Sequence, residues 1–309
     1  MIRLKFKARF GNFALVIAAF FLASCTDSAT QAPEPSAVSK PILSVSDIHQ
    51  KALVLDAHAD IVIPSTSASF LSEDGLSQVD PSKMREGGVD SVVMSIAVGP
   101  GPRTPEGDAS ARAEADAKLK AILELTANSN GEVVIAKSAT EIQEAHDNDQ
   151  LSLVLGFQNA RSLQRDISSI DYFYNAGVRV FGLNHLGHND YSDSSRPYFD
   201  GEKGEYEITE EHRGLSPLGI EAIERINSLG AVVDVSQMSK AATLQTLDLS
   251  SAPVIASHSN VRSISDADRN LSDEEIDRIG ENGGVIHVAA FRAYLLNISE
   301  PEFVTTLKR

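Results

Sequence analysis

The sequence predicts an α/β fold, a (β/α)8 barrel of the TIM type truncated after its seventh strand. Three observations carry that expectation. From residue 45 onward short apolar runs alternate with helical stretches, the helices carry start and stop residues in the right places, and histidines collect just past the ends of the apolar runs. With 42% hydrophobic and 23% charged residues, the 309-residue chain has globular composition and can bury a full core.

Strands are expected at 53–57, 89–98, 153–157, 178–184, 231–235, 253–257 and 284–288, each a short run built on Val, Leu, Ile or Phe. Between them the helices fall at 109–127, where Ala, Leu, Lys and Glu dominate, and at 139–146, 217–229, 240–247 and 272–279. Ser216 before Pro217 reads as N-cap then first helical residue, and Gly230 as a stop. Ser272 with Glu275 three residues on makes a capping box. Seven strands are one fewer than a closed barrel of this type needs.

The first 24 residues stand outside this scheme. Arg3, Lys5, Lys7 and Arg9 precede an apolar stretch at 13–22, the pattern of a secretory signal and too short for a permanent span. It closes on Leu22-Ala23-Ser24-Cys25, which resembles the lipobox of bacterial lipoproteins, so Cys25 is expected to be lipidated and to become the new N-terminus. Residues 25–44, rich in Pro, Ser and Ala, form a flexible tether, and 45–309 the barrel. The expected location is the periplasmic or cell-surface side of a membrane, held there by lipid on Cys25. As the only cysteine, Cys25 leaves no partner for a disulfide and no thiol for catalysis. Removing 1–24 takes away four positive charges and no negative one, moving the net charge from −16 to −20. So acidic a chain argues against nucleic acid or an anionic bilayer surface as partner.

Reactive groups of such barrels gather at the carboxyl ends of the strands. Read in order, those ends give His58 and Asp60 after the first strand, Gln158 after the third, His185 after the fourth, Gln237 after the fifth and His258 after the sixth. Residues i and i+2 of a strand share a side, so His58 and Asp60 leave together, an arrangement that can hold a metal ion. His49, His146 and His212 read as solvated, His188 as a loop residue, His287 as a rim or core residue, and Arg269 by default as an exposed arginine at a helix start. The chain has no H-E-x-x-H, G-x-S-x-G, P-loop or G-x-G-x-x-G motif.

Several segments in register resemble the membrane dipeptidase family, the zinc peptidases of renal dipeptidase type (peptidase family M19). They are Leu55-Asp56-Ala57-His58-Ala59-Asp60, Met84-Arg85-Glu86-Gly87-Gly88-Val89, Phe181-Gly182-Leu183-Asn184-His185 with Asp193-Ser194, and Gly214-Leu215-Ser216-Pro217-Leu218-Gly219. Val233-Asp234-Val235-Ser236, Ser257-His258-Ser259, Arg269-Asn270 and Asn282-Gly283-Gly284-Val285 complete the order. The resemblance implies a barrel of the metal-dependent hydrolase kind that cleaves dipeptides with a metal-activated water. It implies that His58, Asp60 and His258 are metal ligands, that His185 contacts the substrate, and that Arg269 binds the substrate carboxylate.

Two ligand positions depart from the family pattern. Gln158 stands where a bridging glutamate is expected and Gln237 where a histidine is expected. A carboxylate gives each of two ions an oxygen and offsets their charge, whereas an amide gives one neutral oxygen and an NH2 that repels cations. The expectation is therefore one zinc ion and not two, with two imidazoles and a carboxylate leaving a position open for water. The family's last-strand aspartate has no match in the sequence. A metal-free peptide-binding lipoprotein of the same fold is the competing expectation. The expected ligand is a small dipeptide-like molecule, and a homodimer is left open.

Overall fold

In the computed structural model, residues 43–68, 71–201 and 203–295 are described. The expected signal peptide, Cys25 and nearly all of the tether lie outside the described residues.

Ten strands alternate with nine helices among the described residues. The strands are β1 (Leu55–Asp60), β2 (Ser91–Ala97), β3 (Val133–Ile135), β4 (Leu151–Gln158), β5 (Val178–Gly182), β6 (Phe199–Asp200), β7 (Glu205–Tyr206), β8 (Val232–Asp234), β9 (Ile255–Ser259) and β10 (Val285–Val288). The helices are α1 (Val45–Lys51), α2 (Pro81–Gly87), α3 (Pro105–Ala127), α4 (Ala139–Asp147), α5 (Ser168–Ala176), α6 (Pro217–Ser228), α7 (Lys240–Leu249), α8 (Asp273–Glu281) and α9 (Arg292–Leu295). Seven parallel strands follow one another in the order β1-β2-β4-β5-β8-β9-β10 and curl into a nearly closed barrel, as expected. β6 and β7 form a separate antiparallel hairpin.

Helices cover the sheet, so its central strands are buried along their whole length, as the apolar runs require. All seven residues of β2 and all eight of β4 are buried. Phe157 of β4 packs against Phe173 of α5 and Phe181 of β5, with ring centroids 4.8 and 5.6 Å away. Each such side chain contributes about 1.5–3 kcal/mol on leaving water. Ser216 caps α6 through the Gly219 N–H, and Ser272 and Glu275 form the reciprocal capping box at α8.

Three features differ from the sequence reading. The three-residue β3 pairs with β4 off the main path and is too short to show a period. Helices α1, α2, α5 and α9 were not anticipated; each has fewer than ten residues, and weak apolar spacing over so few turns gives little signal. The first and sixth predicted strands each shift toward their carboxyl ends, so His58, Asp60 and His258 lie within β1 and β9, not past them. Polar side chains facing a cavity interrupt the apolar pattern there.

The β1–β2 register slips between Asp56 and Ala59, and the His58 N–H donates to Asp56 Oδ1 at 3.0 Å. The slip spans Ala57 and His58, an irregularity of the kind found beside functional sites. β1 and β10 end the strand path, and Val285 and Val288 are 52% and 70% exposed. Along this seam runs a cavity of about 920 Å3, walled by β1, by Ser257 and His258 of β9, and by residues 287–291.

Candidate active site

The site is built around His258. Asp234, the last residue of β8, accepts the backbone N–H groups of Ser236 and Ser257 on Oδ1 at 2.9 and 3.0 Å. Its Oδ2 accepts the Ser257 hydroxyl, and that hydroxyl oxygen accepts His258 Nδ1–H at 2.7 Å. This chain of bonds fixes the tautomer: the proton sits on Nδ1 and Nε2 is an acceptor. Burial pushes the His258 pKa well below its ordinary value, with His58 and Arg269 adding to the effect, so the ring is neutral.

Around Nε2 gather the other strand-end residues. The amide nitrogens of Gln158 and Gln237 donate to it at 3.3 and 3.2 Å. The His58 ring stacks on that of His258 with centroids 3.8 Å apart and planes 18° from parallel. His58 Nε2 lies 3.5 Å from Asp60 Oδ1. Burial raises the Asp60 pKa, but His58, Lys118 and His185 outweigh it and hold the carboxyl below its ordinary range. Asp60 is therefore ionised at neutral pH, and its side chain is 55% exposed to the cavity. Gln237 adopts φ 72°, the left-handed region that a non-glycine residue enters only at a cost.

His185 stands beside this group with Nδ1 buried and unpartnered. Burial lowers its pKa to about 4, only partly offset by Asp60. Arg269 is 3% exposed, not the exposed arginine expected by default from its place at a helix start. Its Nη1 donates to Ser259 Oγ at 3.2 Å and its Nη2 to the His258 carbonyl at 2.8 Å, while Nε has no partner. The structure thus brings all seven sequence-predicted positions to one end of the barrel.

Two further residues escaped the sequence reading. Asp234 stands in a family-like segment without an assigned role, yet with His58 and His258 it forms the compact potential metal-binding cluster found among the described residues; Asp60 falls outside that cluster. Lys118, on the helix read from its Ala, Leu, Lys and Glu composition, lines the cavity and pairs with Glu114 at 3.0 Å.

Some histidines differ from expectation. His146 and His212 are half-buried and bonded, not simply solvated: His146 Nδ1 meets Asp90 Oδ1 at 3.0 Å, and His212 Nε2–H donates to the Asn189 carbonyl at 2.8 Å. His188 is buried, taking the Ser194 N–H on Nδ1 at 3.0 Å and giving Nε2–H to the Ile208 carbonyl at 2.7 Å. Nearby, Asp193 is fully buried and accepts the N–H groups of Glu211, His212 and Gly214. These bonds tie the long loop after β5 together.

The donors present suit a divalent cation. An imidazole whose other nitrogen is tied to a hydroxyl–carboxylate pair is the usual state of a metal-binding histidine, and a second imidazole and an ionised carboxylate lie beside it.

Residues 43–308 match the profile of the membrane dipeptidase family, peptidase family M19. The chain belongs to that family. The dipeptidase tcpJ of Claviceps purpurea is 31% identical over 187 residues, 60% of this chain and 40% of its own length. The dipeptidase verJ of Clonostachys rogersoniana is 30% identical over 158 residues, 51% of this chain and 38% of its own. Among solved structures, the probable dipeptidase PvdM from Pseudomonas aeruginosa superposes with a TM-score of 0.76 at 34% identity, covering 83% of this chain and 64% of that one. A metallo peptidase from Rhodobacter sphaeroides, solved with a phosphinate mimic of the dipeptide L-Ala-D-Ala, shares the fold at a TM-score of 0.69 and 20% identity, covering 82% of this chain and 80% of that one. Against the two curated relatives the match spans well under half of their length. A membrane dipeptidase barrel thus frames the site, and Gln158 and Gln237 occupy its centre.

Proposed function

We propose that the chain hydrolyses dipeptides or closely related small amides, using a single metal ion held by His58, Asp60 and His258. The observation that carries this reading is the Asp234–Ser257–His258 relay, which keeps one imidazole nitrogen as an acceptor turned toward the other strand-end residues of a membrane dipeptidase barrel. A bound zinc ion supplies a water with a pKa near ~7 and polarises a carbonyl. A second ion lacks support, because the neutral amide of Gln158 cannot bridge two dications.

The chain's own groups account for the remaining steps. Neutral at physiological pH, His185 offers a ring N–H to a carbonyl oxygen as negative charge builds on it. Arg269, with Nη1 and Nη2 engaged and its buried Nε–H without a partner, is the group matched to a substrate's terminal carboxylate. Lys118 and Glu114 line the cavity wall as an ion pair. The cavity's 920 Å3 is ample for a dipeptide, and the dipeptide mimic held by a protein of the same fold makes L-Ala-D-Ala a first substrate to try.

One observation favours a second reading. The Gln158 and Gln237 amides already satisfy His258 Nε2, as they would in a metal-free peptide-binding protein. Elemental analysis of the purified chain together with a dipeptide panel separates the two. One zinc per chain with chelator-sensitive turnover supports the enzyme; no zinc, no turnover and chelator-insensitive peptide binding support the binder. We further propose that Cys25 anchors the chain to a membrane on the exported side, on the strength of the Leu22-Ala23-Ser24-Cys25 motif. Cys25→Ala would then leave the chain without lipid by mass spectrometry.

A further inference from the structure

We infer that Arg196, Arg269 and Tyr294 form one anion-recognition site at the barrel mouth, which selects dipeptides whose C-terminal residue carries a second carboxylate. The inference rests on the dipeptidase reading above and adds the substrate class.

The chain carries 43 acidic residues against 27 Lys and Arg, and most of its arginines are neutralised. Arg103, Arg112, Arg225 and Arg278, for example, all sit on carboxylates. Among the described residues Arg179, Arg196, Arg213 and Arg269 have none, and of these Arg196 and Arg269 share one aromatic neighbour, their hydrogen bonds going to hydroxyls and a carbonyl. Arg269 is buried with Nε unpartnered and makes no ion pair, the Asp234 carboxylate acting on it only from beyond contact distance, so an anion in direct contact would complete it.

Both cations are held by one aromatic side chain. The guanidinium carbon of Arg196 lies 5.9 Å from the centroid of the Tyr294 ring and that of Arg269 lies 5.7 Å away. Arg196 Nη1 donates to the Tyr294 hydroxyl at 2.7 Å. The tyrosine is itself fixed, since buried Asn270 donates to its carbonyl at 2.8 Å. Phe291 of the cavity wall packs on its ring at 4.7 Å. On the other side, the Ser195 N–H donates to the Gln237 carbonyl at 2.9 Å, which ties the residue before Arg196 to the centre of the site.

Two forks on one ring can meet two carboxylates of one small molecule. Arg269, in the interior, suits the terminal carboxylate, and exposed Arg196, at the rim, suits the carboxylate of a C-terminal Asp or Glu side chain. The neutral isostere loses the second charge-assisted bond.

The test is calorimetric titration of the purified chain with L-Ala-L-Glu, with L-Ala-L-Gln, and with glutarate, a dicarboxylate that a peptidase cannot cleave. We expect the glutamate dipeptide to bind at least about tenfold tighter than the glutamine one. Arg196→Ala, an exposed substitution whose folding is checked by an unchanged melting temperature, removes that preference. Binding of glutarate that depends on Arg196, with neither dipeptide bound, upholds the two-arginine site and refutes the dipeptidase reading. Equal affinity for the two dipeptides, or a preference that survives Arg196→Ala, overturns the inference and leaves the dipeptidase reading intact. Failure of all three ligands to bind overturns both.

Discussion

His258 owes its chemistry to two neighbours that never need to touch a substrate. Ser257→Ala cuts the relay from Asp234, frees the imidazole to change tautomer, and should weaken zinc binding by about 10- to 100-fold in a competition titration with a chromogenic chelator. The double change Gln158→Glu and Gln237→His supplies a bridging carboxylate and a further imidazole, so the zinc content by elemental analysis should rise from one to two per chain. Protonation gives an independent check. Burial holds the His185 pKa at about 4 against 6.5 for a solvated imidazole, so between those values the unfolded chain binds the extra proton. Stability of the metal-free chain should fall as pH drops from 7 to 4, by about 3 kcal/mol from this residue, and denaturant titrations of His185→Gln should show a flatter dependence. His58, Asp60, Gln158, His185, Gln237 and His258 were legible because the strand period and the barrel rule place them together. Asp234 was seen only as part of a family-like segment, without a role, and Lys118 not at all, since their partners arrive from other strands and helices.

Helix α6 shows how an element anchors the loop above the site. Ser216 caps it and donates its own N–H to the Tyr191 carbonyl at 2.9 Å, and Gly219 lies so close to that carbonyl that a Cβ would stand 2.0 Å from the oxygen. Gly219→Ala must push α6 off the loop carrying His185 to Ser194, and should cost at least about 2 kcal/mol, read as a lowered melting temperature. The cap at Ser216 and the box at Ser272 were readable because caps are local chemistry written within four residues. The docking against Tyr191 was not, because nothing in the sequence near Gly219 names a carbonyl 28 positions earlier.

Across the molecule, the alternation of apolar runs and helices was enough to order the seven barrel strands, while β3, the β6–β7 hairpin and the exact reach of β1 and β9 depended on pairings between distant segments. The seam gives the barrel a gradient of stability. Fully buried β4, paired on both edges, should exchange its amide hydrogens slowest, and β10, half exposed and paired only with β9, fastest among the barrel strands in native-state hydrogen exchange. Gln237 carries a different lesson. Its left-handed backbone is unfavourable for the side chain it bears, so the surrounding barrel dictates the bend and the residue merely occupies it. The scaffold is a fixed socket into which alternative donors can be fitted by single substitutions, and members of this family should be sorted by what they carry at the positions of Gln158 and Gln237 before overall similarity is used to infer what they do.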